Sequence, residues 1–303
     1  MSLAKWLLIT TVLLATFFGV AYFVKNEGRP PVQQVISHTV ETSSVEGLEE
    51  ATEELHAVEE RPVPEADRVA ELFNTCLPQF PIVETIIYKS RVPWLKGRPA
   101  WLSDYASQYE TSRHFIARSL NGGPDYFKQD IAEGKKFTVF KKDIPLSFHL
   151  LIDASRHKLF LFYKEGKEEV LIKTYTVGLG RSDPEKVSGS LTPLGTYLLG
   201  SKVAIYKPKT MGFFNGKKTE MIRVFGTRWI PFDQEIADCT APAKGLGLHG
   251  VPWNEAGEEL DSLGKNESDG CIRLSSADVE ELFAIVITKP TTVQIVRDYF
   301  EVK

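Results

Sequence analysis

His157–Gly180 reads HKLFLFYKEGKEEVLIKTYTVGLG, and this stretch decides the fold. Two runs rich in β-branched and aromatic residues, Lys158–Tyr163 and Val170–Val177, flank a charged turn that contains Gly166. That pattern is a β-hairpin signature. Working outward, Leu150–Asp153, Thr196–Leu199 and Val203–Tyr206 are further short strands separated by Gly, Ser, Pro and charged turns. They predict a mainly β, mostly antiparallel domain. One clear helix is expected late, Ser276–Val286, opened by Ser-Ser-Ala-Asp and carrying an apolar stripe of Val279, Leu282, Phe283 and Val286.

The whole chain has 303 residues, 43% hydrophobic and 25% charged, with a formal net charge of −4. Lys and Arg number 36 against 40 Asp and Glu, so no global charge favours nucleic acid. His, Cys, Asp and Glu show no metal-ligand spacing, and neither a metal nor another cofactor is expected. These averages conceal unlike segments. Trp6–Val24 holds nineteen residues without a formal charge, enough for a helix to cross a bilayer, with Lys5 favouring a cytoplasmic N-terminus. A cleaved signal peptide ending near Gly19-Val20-Ala21 is the alternative. Between Glu41 and Leu72 stand eleven acidic and two basic residues, so 25–80 reads mainly as a solvated linker, with a short helix near 65–73.

From Pro81 to Pro145 the balance reverses to eleven basic against seven acidic residues. The expected order is strand Thr85–Ser90, helix Pro99–Gln108, helix Ser112–Ser119 and strand Lys136–Lys141. Pro99 is placed at the first turn and Ser112 as a cap. The series Ala106, Tyr109, Ile116, Leu120-Asn121, followed by Glu133-Gly134-Lys135-Lys136-Phe137, resembles a LysM domain over about 84–142. That resemblance implies a βααβ module binding cell-wall glycan, although Lys96–Trp101 replaces the usual Gly-Asp-Thr-Leu turn.

Chemistry gathers where the apolar pattern stops. Leu246–Gly250 (LGLHG) looks like a strand ending at His249, and Ser268–Leu274 (SDGCIRL) puts Cys271 on a turn behind Gly270. A thiol of reference pKa ~8.5 needs a base or a cation beside it to act as a nucleophile at neutral pH. His249 is the candidate base, Gly270 allows the backbone to turn its N–H groups toward an oxyanion, and Arg273 adds positive charge on the same side of an extended segment. A buried structural thiol, or a disulfide with Cys76 or Cys239, is the bland reading. Gly178-Leu179-Gly180-Arg181 invites a phosphate-loop reading, but no long helix follows, so it reads as a strand-end turn.

The strand pair 157–180, Thr192–Tyr197, FGTRWI (225–230), GLHG, SLGKNESDGCIRL and DVEELFAIV occur in one register over about 147–298. Together they resemble the catalytic domain of the bacterial L,D-transpeptidases, the YkuD type. The resemblance implies a β-sandwich with one helix, with Cys271 as nucleophile, His249 as base and later acid, and the amides around Gly270 and Cys271 as oxyanion hole. It assigns Arg273 to positioning substrate or bracing the loop. Gly250, Ser268 and Asp269 belong to the same substrate-facing motifs. Arg228 and Trp229 are expected to line the donor groove, with plain packing the alternative for Trp229. The implied partners are peptidoglycan stem peptides, and the implied product is a 3→3 cross-link formed through a thioester at the cell envelope, on the periplasmic side of the inner membrane. Hydrolysis by the same site, attachment of a protein to the wall, and a non-catalytic wall anchor are the alternatives. Two departures stand out: Asp269 occupies the place of a second His, and the insertion 251–267 is long. The motif pair further implies that His249 lowers the pKa of Cys271, while Asp269 raises it.

Overall fold

The structure is a computed structural model that describes residues 61–123, 131–166 and 168–302. The expected membrane segment 6–24 and most of the linker lie outside these residues. Among the described residues no helix is long and apolar enough to cross a membrane.

The N-terminal part runs α1 (Ala70–Phe73), β1 (Val83–Ile87), α2 (Leu102–Gln108), α3 (Arg113–Asn121) and β2 (Lys136–Phe140). β1 and β2 pair antiparallel, with Val83 opposite Phe140. The strand-helix-helix-strand order therefore matches the expectation. Ser112 caps α3 by accepting the His114 N–H, and Gly122 ends it at φ +70°. Pro99 does not start α2. The Asp104 carboxylate accepts the Trp101 N–H at 2.7 Å and binds Arg98, which fixes the first turn at Leu102 instead.

β3 (Leu146–Asp153), β4 (Lys158–Glu165), β5 (Glu168–Thr176), β6 (Leu179–Gly180), β7 (Gly195–Leu199), β8 (Ala204–Ile205), β9 (Met211–Phe214) and β10 (Lys217–Glu220) follow. After them come α4 (Ile222–Phe225), β11 (Arg228–Ala237), β12 (Gly247–Gly250), β13 (Asn266–Ser268), β14 (Ile272–Leu274), α5 (Ser276–Val286), β15 (Thr291–Val296) and a 3-10 turn at Tyr299–Glu301. The fold is mainly β, as expected, and its main sheet runs in the order β14-β12-β11-β7-β15-β3-β4-β5, with β8 beside β11. β11 pairs with β12 over its first half and with β7 over its second, where register shifts bend it. Pairing is mostly antiparallel, but β15–β3, β12–β14 and β13–β6 are parallel. A parallel pair needs a long connection, and the chain between β12 and β14, which holds the insertion 251–267, makes it.

Alternation sets the core. Leu159, Leu161 and Tyr163 of β4 pack with Ile230, Leu248, Ile272 and the α5 residues Val279, Leu282 and Phe283. Phe160 and Phe162, on the other face, pack with Leu151, Val296 and Tyr299. Both faces of β4 are buried, which is why its sequence reads as an unbroken apolar run.

Residues 61–80 depart from the solvated linker that their charges predict. The Arg68 N–H donates to the Ile172 carbonyl and the Thr174 N–H to the Ala66 carbonyl, so the segment lies along the β5 edge. Val69, Leu72 and Phe80 enter the main core, and Lys173 meets Asp67, Asp278 and Glu281. The segment's acidic side chains are taken up in ion pairs, Glu65 with Lys158, Asp67 with Lys173 and Glu71 with Arg68, and in an average of composition they mask the apolar residues between them. Leu72→Ala should destabilise the protein by about 2–5 kcal/mol in urea unfolding, as for a core leucine. Leu77→Ala, at a side chain 86% exposed, should stay within about 0.5 kcal/mol.

Candidate active site

β11, β12 and β14 lie side by side, with Trp229 opposite His249 and His249 opposite Arg273. Directly opposed residues share a face, and residues two apart on one strand share it as well. One row of the pleat, Ile230, Leu248 and Ile272, therefore enters the core. The adjoining row presents Trp229, His249 and Arg273 on the other face, together with Cys271 two residues before Arg273. Cys271, His249, Arg273, Trp229, Ser268 and Asp269 all line one cavity of about 540 Å³, closed by Phe214, Phe225, Leu260 and other residues.

The same parity corrects one expectation. Arg228 shares the inward row with Ile230, is buried, and does not line the cavity. It donates to the Thr227 carbonyl, pairs with Glu280 at 3.4 Å and lies over the Phe283 ring, so it ties β11 to α5. Trp229 lines the cavity and also packs, its ring 5.9 Å from that of His249 and 4.9 Å from that of Phe225.

The turn before Cys271 is held from several sides. Ser268 Oγ donates to the Cys271 carbonyl at 2.6 Å and accepts the Gly270 N–H at 3.1 Å. Thr192 Oγ1 accepts from the Gly180 N–H and donates to the Gly270 carbonyl. Gly270 sits at φ +116°, and a Cβ there would lie 2.7 Å from the Leu191 carbonyl oxygen, so only glycine fits. Of the two amides expected to form the oxyanion hole, that of Gly270 is engaged by Ser268 in this structure. Among the described residues the Cys271 N–H has no such acceptor. Gly178 and Arg273 exchange both backbone hydrogen bonds, at 2.9 and 2.8 Å, which turns the Gly178–Gly180 segment into a brace for the site strand.

Electrostatics correct the expectation of a thiolate stabilised by His249. Burial pushes the Cys271 thiol up to about 11; the Gly247 N–H and the Arg273 charge act in the lowering direction, and Asp269 adds to the rise. His249 is pushed down to about 4, chiefly by burial, with the Arg273 charge adding to the shift. The resting pair is thus a neutral thiol and a neutral imidazole. One ring nitrogen, Nδ1, donates to the Gly250 carbonyl at 2.7 Å, which fixes the tautomer and leaves the other nitrogen its lone pair. Cys271 Sγ lies 3.7 Å from the Gly245 carbonyl. Arg273 is half-buried, its Nε without a hydrogen-bond partner, and burial lowers its pKa. Such a guanidinium suits an incoming carboxylate.

All three cysteines are free, and Cys76 and Cys239 are not joined. Among the described residues no group of His, Cys, Asp or Glu is arranged to hold a metal. Sequence reading passed over Phe214, Arg223, Phe225 and Leu260 in the cavity wall, and the Gly247 N–H beside the sulfur. Phe225, inside FGTRWI, and Gly247, inside GLHG, lie in motifs that carried a local signal. Iodoacetamide labelling of Cys271, followed by peptide mass mapping, should rise steadily with pH through about 9 without levelling off, as for a thiol protonated at neutrality. A plateau near neutral pH would mean that a thiolate is already present at rest.

Residues 147–295 match the family model of the L,D-transpeptidase catalytic domain, YkuD. Solved structures that resemble the chain include Bd1075 of Bdellovibrio bacteriovorus (18% identity, TM-score 0.35, 50% of this chain and 47% of that one). The helical cell shape determining protein Pgp2 of Campylobacter jejuni is similar at 20% identity, TM-score 0.36, covering 50% of this chain and 48% of that one. L,D-transpeptidase 3 of Mycobacterium tuberculosis follows at 17% identity, TM-score 0.29, covering 55% and 76%. The match spans about half the length of the first two. No curated protein matches the chain. On the family model, residues 147–295 are an L,D-transpeptidase catalytic domain of the YkuD type.

Proposed function

We propose that the chain is a peptidoglycan L,D-transpeptidase in which Cys271 carries the acyl group and His249 moves the proton. The observation that carries this reading is the meeting of a thiol, a neutral imidazole and a guanidinium with a partnerless Nε on one pleat face, in one cavity. Arg273 binds a carboxylate of the donor stem and holds its third-residue carbonyl at Cys271. The His249 nitrogen not bonded to Gly250 takes the thiol proton as sulfur attacks. The C–S bond forms, the carbonyl electrons move onto oxygen, and the Cys271 N–H stabilises that charge. Collapse breaks the C–N bond, and His249 returns the proton to the departing D-Ala amine, leaving a thioester. An amine of a second stem then attacks the thioester and gives a 3→3 cross-link.

Two neutral partners cost less to bury than an ion pair. The thiolate then forms only as the substrate carbonyl accepts it, which spares the resting thiol from adventitious electrophiles. The βααβ module, through its resemblance to LysM, is proposed to hold glycan, and residues 6–24 to tether the chain to the inner membrane with this domain in the periplasm.

Incubation of the full-length chain with tetrapeptide muropeptides should yield a Cys271 adduct lacking D-Ala, read by mass spectrometry, together with a 3→3 dimer. Cys271→Ala should give neither, and His249→Gln should slow acylation by about 10²–10⁴-fold. Absence of any adduct on Cys271, with the substrate or with a carbapenem, would refute the reading. An adduct that turns over only to tripeptide would make the site a carboxypeptidase.

A further inference from the structure

Among the described residues Asp269 is the one acidic side chain in the cavity wall, where Arg223 and Arg273 stand for the opposite sign. Arg223 is itself paired with Glu220 and Glu255, while Arg273, which feels the charges of Glu267 and Asp269, keeps a partnerless Nε for an anionic donor. Asp269 sits two residues before Cys271 and is largely exposed at the cavity mouth. It pairs there with Arg181, whose own N–H is fastened to the Ser268 carbonyl at 3.0 Å. That ion pair is open to water on both sides, and exposed pairs contribute about 0–1 kcal/mol, so another cation can readily take the place of Arg181.

The two substrates of a transpeptidase differ in charge. The donor brings carboxylates, whereas the acceptor brings an amine that is an ammonium in neutral water. His249, neutral and buried, offers an ammonium no charge. We propose that Asp269 is the docking group for the cationic amine of the acceptor, displacing Arg181 and holding the nitrogen at the cavity mouth beside the acylated Cys271. This inference rests on Cys271 being the acyl carrier. Once docked, the ammonium gives one proton to solvent, and the free amine attacks the thioester carbonyl. The C–N bond forms, the C–S bond breaks, and the remaining surplus proton passes through His249 to the Cys271 sulfur, which restores the neutral thiol and imidazole.

The position has a cost for the first half of the reaction, since the Asp269 charge opposes thiolate formation. Its removal should therefore act in opposite directions on the two halves, a signature that a merely structural residue would not give. The test uses the full-length chain with the Cys271 thioester formed from tetrapeptide muropeptide. It compares transfer to the amine of a second tetrapeptide with transfer to hydroxylamine, a nucleophile uncharged at neutral pH. In D269N the ratio of the first to the second should fall about tenfold or more, within the span of electrostatic steering, while iodoacetamide labelling of Cys271 speeds up. In wild type that ratio should decline as salt is added; in D269N it should not. In R181A, which frees Asp269, the ratio should equal or exceed that of wild type. An unchanged ratio in D269N, or a fall in R181A matching that in D269N, overturns the proposal. Failure to form the thioester in wild type would instead overturn the assignment of Cys271.

Discussion

The pleat of three adjoining strands governs the rest of the molecule. With Trp229, His249 and Arg273 in mutual register, the alternation of a strand leaves one choice: one row of side chains enters the core and the next enters the cavity. A slip of one residue in β14 would turn Cys271 and Arg273 inward and Ile272 and Leu274 outward. Register is therefore guarded beyond the ladder itself. Gly178 grips Arg273 through two backbone bonds, Thr192 joins Gly180 to Gly270, and Ser268 closes the turn that delivers the sulfur. A Cβ on Gly178 would lie 2.3 Å from the Ser262 carbonyl oxygen, so that approach depends on glycine.

The same burial that orders the site decides its charge. His249 is enclosed by Phe225, Trp229 and the strand backbone, and that enclosure costs the imidazolium more than neighbouring carbonyls return. The thiol is raised for the same reason. Arg273 favours the thiolate but disfavours the imidazolium, so one guanidinium biases the pair in opposite ways.

What the sequence made legible was whatever depends on local pattern. The hairpin of β4 and β5, the helix α5 with its ends, and the gathering of Cys271 with His249 all follow from spacing and motif. Arg228 was misjudged although the signal was present, because Ile230 two residues on already marks its parity as inward. Other misses had no local signal. The occupied N–H of Gly270 depends on the rotamer of Ser268, and the raised thiol depends on how many atoms surround it. The segment 61–80 hides its packing because Glu65, Asp67, Arg68 and Glu71 dominate its average, while Val69, Leu72 and Phe80 enter the core and Phe73 packs against it.

That segment bears on how the domain responds to proteolysis. An outer strand of a sheet offers unpaired amides to any extended chain. Here the β5 edge is closed by the chain's own residues 66–68, in the stretch by which the preceding polypeptide arrives. A cut before residue 61 would release the domain with its edge still sealed. A cut within 69–80 would unseat the strap, bare the β5 edge and remove Leu72 from the core, so one short stretch tolerates a break at its start and not in its middle.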